Sequence, residues 1–353
     1  MNAQYEVRLY DKILLSFELI IDVAVGYSVK VLDLCENRSL FPLDMTPDPE
    51  GILRWLERRV IPKNRTFVDE ILQSMALSHG DTKGIIDVCK GLSLNDSYWV
   101  VPVGFKGTFA EYNLYENRFS EILSLVAYTG VTQSDAAFST SPEFTTNGML
   151  PKAWRFIEGE GIYLYKGGTS GAANTGKEPY SEYYAAQVAK TMGLFAVHYD
   201  LENWKGILAS KCKLFTDIDT AFVPIGRVIK TGGLAAVIKY YDELGGRFSE
   251  NIRDILVFDA LIYNEDRHFG NFGLLRNNHT GKLVAPARYS ITGYRYSIMP
   301  CPAIMRTWKT TQKRAPPYTP ERHLRVYVKH LLLQSKLQSC ARYKISLLFA
   351  IRS

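Results

Sequence analysis

The sequence predicts an α+β fold with an N-terminal accessory α/β region, and three observations carry the prediction. Alternating apolar residues in the first 45 positions (Tyr5-Val7-Leu9, Ile13-Leu15, Tyr27-Val29-Val31) have the period of strands. Lys152–Ile157 and Ile162–Lys166 flank the turn Glu158-Gly159-Glu160-Gly161 and read as a β-hairpin. Runs such as Gly51–Arg59 and Ile252–Tyr263 are helical in character.

Taken in order, the N-terminal strands end at the turn Asp44-Met45-Thr46-Pro47-Asp48-Pro49, which starts the helix over Gly51–Arg59. Phe67–Leu77, Asp81–Leu92 and Tyr112–Ala127 are expected to be helical, and the aromatics near Tyr98-Trp99 are expected in the core. Residues 139–148 form a hydroxyl-rich loop ahead of the hairpin, whose second strand ends in Lys166. A glycine-rich stretch follows, then a helix through Met192 with Ser181 as its expected N-cap and Glu182 near its start. Gly171 and Gly176-Lys177 have P-loop spacing, but Glu178 stands where Ser or Thr is needed and Pro179 interrupts the helix start, so a P-loop is not expected. Strands are expected around His198–Asp200, Ile207–Phe215 and Thr220–Ile225, and helices over Leu234–Tyr241 and Ile252–Tyr263.

The last of these helices runs into Asn264-Glu265-Asp266-Arg267-His268-Phe269-Gly270-Asn271. Asp266 and Asn271 have the D-x-x-x-x-N spacing of a protein-kinase catalytic loop, where the Asp takes a hydroxyl proton and the Asn holds a metal ion. A polar turn capping a helix has the same composition, so the spacing alone leaves both readings open. The loop-before-hairpin layout adds to the first. In a kinase nucleotide lobe the loop covers phosphates, the strand Lys neutralises them and a helix Glu holds that Lys. Lys166 as an exposed strand-end charge, and Glu182 as a plain helix-start acid, are the competing readings.

Composition bounds the rest. The chain has 353 residues, 46 % of them hydrophobic and 22 % charged, which suits a globular protein with a sizeable core. No apolar run is long enough to span a membrane, residues 1–20 lack signal-peptide character, and the five cysteines are scattered without a C-x-x-C. A cytoplasmic location is expected, with export without a signal peptide left open. From Arg288 onward there are thirteen Lys and Arg against one acid, Glu321, a net +12 that leaves the remainder of this +6 chain at −6. Such a segment has the charge of a nucleic-acid or anionic-lipid tail.

The pieces T-T-N-G-M-L-P-K-A-W-R, Y-K-G-G, E-P-Y-S-E-Y-Y-A-A-Q-V-A and N-E-D-R-H-F-G-N-F-G, in this order over residues 139–287, resemble the HipA family of serine/threonine kinases, and within it the cell-translocating kinase branch. The resemblance implies a two-lobed, protein-kinase-like domain. Residues 1–130 would be the accessory region, 131–225 the nucleotide-binding lobe and 226–287 a partial helical lobe. It implies ATP and Mg²⁺ as cofactors. Asp266 would be the catalytic base, Asn271 a Mg²⁺ ligand and His268 a group against the phosphates. Lys166 would contact phosphate, with Glu182 as its partner, and Val223–Ile225 would hold adenine. The partner would be a protein Ser or Thr, including this chain's own loop at Ser139–Gly148, which the resemblance also makes phosphate-covering.

One acid departs from the family pattern. A segment of the form A-P-hydrophobic-hydrophobic-Asp-x-Gly, whose Asp binds Mg²⁺, is expected after the loop. This chain reads Ala285-Pro286-Ala287-Arg288-Tyr289-Ser290, and no Asp occurs after Asp266. One permitted set of codons for Arg288–Pro302, read in a shifted frame, encodes I-F-D-N-G-L-S-L. The chain from about Ala287 is therefore expected to be out of frame, its basic tail unselected sequence with no nucleic-acid partner, and any kinase activity impaired. A kinase-fold protein that binds nucleotide or a partner without catalysis is the alternative.

Overall fold

A computed structural model describes residues 3–22, 26–132, 140–169, 176–262, 264 and 267–290. Asp266, Ser139 and most of the basic tail (291–353) lie outside the described residues.

Strands β1 (Ala3–Leu9), β2 (Lys12–Asp22) and β3 (Gly26–Leu34) form where alternation was read. Helix α1 (Pro49–Glu57) packs on β3 and starts at Asp48, whose carboxylate accepts the Gly51 N–H at 2.8 Å. Helices α2 (Val68–Gln73) and α3 (Thr82–Cys89) follow, then β4 (Tyr98–Pro102). The four strands make one antiparallel sheet in the order β3-β2-β1-β4. Val7 and Phe17 of the sheet and Ile52 and Trp55 of α1 share one core, and Trp99 is fully buried as expected.

The helix expected over Tyr112–Ala127 is two helices, α4 (Phe109–Tyr112) and α5 (Glu121–Thr129). Asn113 separates them. Its side-chain oxygen accepts the backbone N–H of Tyr115 and of Glu116, offering the chain a turn in place of the helix, and Ser120 then caps α5. The helix expected over Phe67–Leu77 is likewise shorter, because Ala76 takes a positive φ of 54° that breaks the helical path.

The hairpin forms as β5 (Lys152–Ile157) and β6 (Gly161–Gly167), with Lys152 directly opposite Lys166. Helix α6 (Glu178–Thr191) begins three residues before the expected cap, so Ser181 lies inside its first turn. Pro179 is tolerated there because the first helical N–H groups have no intrahelical partner. Strands β7 (Asp200–Trp204) and β8 (Ile207–Lys213) complete an antiparallel sheet of order β5-β6-β8-β7, against which α6 packs.

Strand β9 (Thr220–Pro224) leads through α7 (Ile225–Val228) to α8 (Gly233–Leu244) and α9 (Gly246–Ile262). Strands β10 (Gly273–Asn277) and β11 (Leu283–Pro286) then pair as β11-β10-β9. One apolar core joins the small face of α6 (Ala185, Ala186, Ala189) to Val237, Ile255, Phe258 and Phe272. The N-terminal sheet is tied to this end of the molecule. Arg276, 1 % exposed, donates to Tyr98 Oη at 2.5 Å and to the Ser39 carbonyl.

Candidate active site

The site is built around Lys166. As the penultimate residue of β6 it faces α6, where Glu182 sits one turn in. The Lys166 ammonium donates to Glu182 Oε1 at 3.0 Å. Ser210 on β8 donates to the other Glu182 oxygen, so both carboxylate oxygens are taken. Lys166 also donates to Tyr199 Oη at 3.0 Å, and its charge lies 4.8 Å from the centre of that ring. Burial alone would disfavour the ammonium, but the Glu182 carboxylate and Tyr199 outweigh it and hold Lys166 charged, well above the ordinary lysine range. Lys166 is therefore no exposed strand-end charge, and Glu182 is no plain helix-start acid.

A second lysine, absent from the expected set, lies across the hairpin. Lys152 is buried and donates to the Asn147 carbonyl at 2.9 Å. Burial, then the charges of Lys166 and Arg65, push its ammonium down to about 7. Lys166 keeps its charge while Lys152, opposite it, is the lysine whose charge is disfavoured. The sequence carried a signal: Lys152 stands in T-T-N-G-M-L-P-K beside the loop, opposite Lys166 once the hairpin is drawn.

The loop itself corrects an expectation. Its middle is no open phosphate cover. Pro142–Thr145 is a 3₁₀ turn with Ser141, Glu143, Phe144 and Thr145 buried. Glu143 is held by Arg65 and by the Trp154 N–H at 2.7 Å. The Thr145 hydroxyl donates to the Leu92 carbonyl at 3.0 Å. Buried, bonded hydroxyls at 141 and 145 are closed to modification in this conformation. The physical reason is the glutamate, which needs a cationic partner once it is out of water.

The loop after α9 is anchored from below. Arg267 makes a two-pronged contact to Asp259 of α9, both distances 2.8 Å, and Asn264 donates to the same carboxylate at 2.8 Å. Arg267 also donates to the Ser290 carbonyl. His268 is exposed, with Nδ1 accepting the Gly270 N–H at 3.1 Å. Asn271 follows, its N–H bonded to the His268 carbonyl at 3.1 Å and its carbonyl accepting the Ser290 N–H at 2.8 Å. Arg267, Asn264 and Asp259 had no expected role, although two of the three stand inside the motif.

The expected adenine strand meets this loop directly. Val223 pairs with Leu274 and Pro224 with Gly273, while the Ile225 N–H reaches the Phe272 carbonyl at 3.0 Å and Gly226 reaches Phe269. A Cβ on Gly273 would lie 2.1 Å from the Val223 carbonyl oxygen, so only glycine permits the approach. Ile225 is fully buried in the core and Val223 only partly. Of the two, Val223 has the surface to meet a ligand.

After β11 the chain turns back toward Lys166. Ala287 bonds Gly273, and Tyr289 bridges Ala196 and accepts the Val197 N–H at 3.0 Å. Counting from Ala285-Pro286, the missing Asp corresponds to Tyr289, yet that side chain is fully buried beside Phe258. It is Ser290 whose hydroxyl reaches the site, 2.8 Å from Tyr199 Oη. Mg²⁺ favours several oxygen ligands, with carboxylates among them. Among the described residues no three His, Cys, Asp or Glu side chains come together as a metal site.

No family model matches the chain, and neither does any curated protein. Solved structures do. A chain of the Shewanella oneidensis MR-1 toxin–antitoxin complex of HipA, HipB and operator DNA matches with a TM-score of 0.53 at 15 % identity, over 82 % of this chain and 75 % of that one. The chain thus has the mixed α and β, kinase-like fold of the HipA type. The Helicobacter pylori proinflammatory kinase CtkA also matches, at 23 % identity over 41 % of this chain and 54 % of that one, with a TM-score of 0.35, too loose to add to this.

Proposed function

We propose that this chain binds ATP as a HipA-type protein serine/threonine kinase does, and that its phosphoryl transfer is weak or absent. The observation that carries the reading is the Lys166–Glu182 pair, charged and buried, with Lys152 across the hairpin. In this reading Lys166 meets phosphate, Val223 of the stretch Val223–Ile225 meets adenine, His268 lies against the phosphates and Asp266 orients an acceptor hydroxyl. Asn271 would be one metal ligand. Catalysis of this kind is positioning and electrostatics, so a missing carboxylate after Pro286 is costly. Each ~1.4 kcal/mol of lost transition-state stabilisation is tenfold in rate.

Binding of a fluorescent ATP analogue and ³²P transfer to a generic protein substrate test the two halves. The expected result is binding that Lys166→Met abolishes and Asp266→Asn leaves intact, with little or no Asp266-dependent transfer. Absence of binding overturns the nucleotide reading, and robust Asp266-dependent transfer overturns the impairment.

The absence of an acid at the position that Tyr289 holds, with only the neutral Ser290 hydroxyl reaching the site beside it, favours a second reading: a kinase-fold protein that holds nucleotide or a partner without catalysis. It predicts that Asp266→Asn changes no phenotype. We also propose that the reading frame changes near codon 287. Resequencing the coding DNA decides it, and finding no alternative frame for I-F-D-N-G would sink the idea.

A further inference from the structure

We propose that Tyr199 is a positioning residue for Lys166, and that its bond to Ser290 couples the phosphate-facing ammonium to the chain leaving the catalytic loop. The inference rests on the nucleotide reading above and adds a residue that neither the motifs nor that reading include.

The argument is a count of donors. A lysine ammonium has three N–H groups. Glu182 takes one and Tyr199 Oη another. Among the described residues the third has no partner. A single anchor leaves the ammonium free to rotate about the Cε–Nζ bond and the stem free to swing. Two anchors on a tetrahedral nitrogen set the direction of the third donor, which is what an incoming phosphate oxygen needs. Glu182 is itself fixed by Ser210, so the first anchor is rigid. Tyr199 must be equally fixed for the second to count. Its ring is 1 % exposed, and its hydroxyl is bonded on the far side to Ser290 Oγ at 2.8 Å.

Ser290 is in turn held by its backbone, with its N–H on the Asn271 carbonyl and its carbonyl receiving Arg267. The chain of contacts Glu182–Lys166–Tyr199–Ser290–Asn271 therefore runs from α6 across β6 into the loop after α9. A movement of residue 290 would be felt at the ammonium through two hydrogen bonds.

Tyr199→Phe is the clean probe. It keeps the buried ring and the cation–π contact and removes the hydroxyl alone. The experiment compares wild type, Tyr199→Phe, Ser290→Ala and the double variant for binding of inorganic tripolyphosphate and of the fluorescent ATP analogue, alongside thermal unfolding. Tyr199→Phe is expected to weaken both ligands about tenfold, the loss of one charge-assisted bond. Ser290→Ala is expected to weaken them less. The double variant should be no weaker than Tyr199→Phe, because both act through one hydroxyl. A purely structural role would lower the unfolding temperature and leave these affinities and their non-additivity unmoved. Should Tyr199→Phe fail to fold, Ser290→Ala still carries the test: unchanged affinity there overturns the coupling. If Lys166→Met abolishes binding while Tyr199→Phe binds as wild type, this proposal alone fails. If Lys166→Met also binds as wild type, the nucleotide reading fails with it.

Discussion

Two buried ion pairs lie one strand apart, and they are built differently. Arg65–Glu143 has both side chains at 0 % exposure, and Arg65 also donates to the Glu143 carbonyl and to the Lys152 carbonyl at 2.9 Å. Lys166–Glu182 has the same charges, but the lysine side chain keeps 10 % exposure and one N–H without a described partner. The first pair ties the stretch before α2, the 3₁₀ turn and β5 into one piece, and the donor it leaves over, Arg65 Nε, is sealed from solvent. The second is open on one side. Burial of a pair is therefore not evidence for function; an uncommitted donor on a side chain that keeps some exposure is.

The comparison is broken most forcefully at Arg65. Arg65→Ala would leave Glu143 buried without its cation, at a cost of about 3–5 kcal/mol. Urea titration should show that loss, while nucleotide affinity per folded molecule stays near wild type. Lys166→Met should share that cost and add a loss of binding. Glu182, like Glu143, would keep one hydrogen bond but lose its cation, so the stability loss by the same titration is again about 3–5 kcal/mol, while the fluorescent ATP analogue no longer binds.

Lys152 sits between the two pairs and titrates. Its folded value of about 7 lies below the ordinary 10.5. Between those values the unfolded chain binds more protons, so stability should rise with pH across that window, and below about 7 the full cost of burying the charge is present. Lys152→Met should flatten the slope in unfolding curves from pH 7 to 10. The smallest effect is expected at an exposed pair. His279 and Asp219 approach to 2.7 Å with side chains 59 % and 56 % exposed, and His279→Ala should change the unfolding free energy, read by urea titration, by less than ~1 kcal/mol.

Much of this was legible in the chain. Strand alternation located β1–β3, because a period of two survives without knowledge of partners, and the turn at Glu158–Gly161 located the hairpin. The N-terminal of the two loop helices failed for a local reason: Asn113 diverts the backbone with its own side chain, and a composition-based reading of Tyr112–Ala127 passes over that bond. The membrane expectation concerns length and apolarity, and among the described residues no helix is long and apolar enough to cross a bilayer.

What the sequence determined by itself is the set of chemical groups and their order: a strand lysine, a helix glutamate, a D-x-x-x-x-N loop, and no acid after Pro286 where one is expected. Tertiary structure decided which of them meet. Tyr199, Ser210 and Ser290 are far from Lys166 in sequence and carry no motif, yet they fix its ammonium and its partner. Glu143, in a loop that reads as open and polar, is instead locked inside by Arg65, 78 positions away. The reason is physical. A buried charge must find its counter-charge and hydrogen bonds wherever folding brings them, and spacing along the chain encodes only the partners that are local.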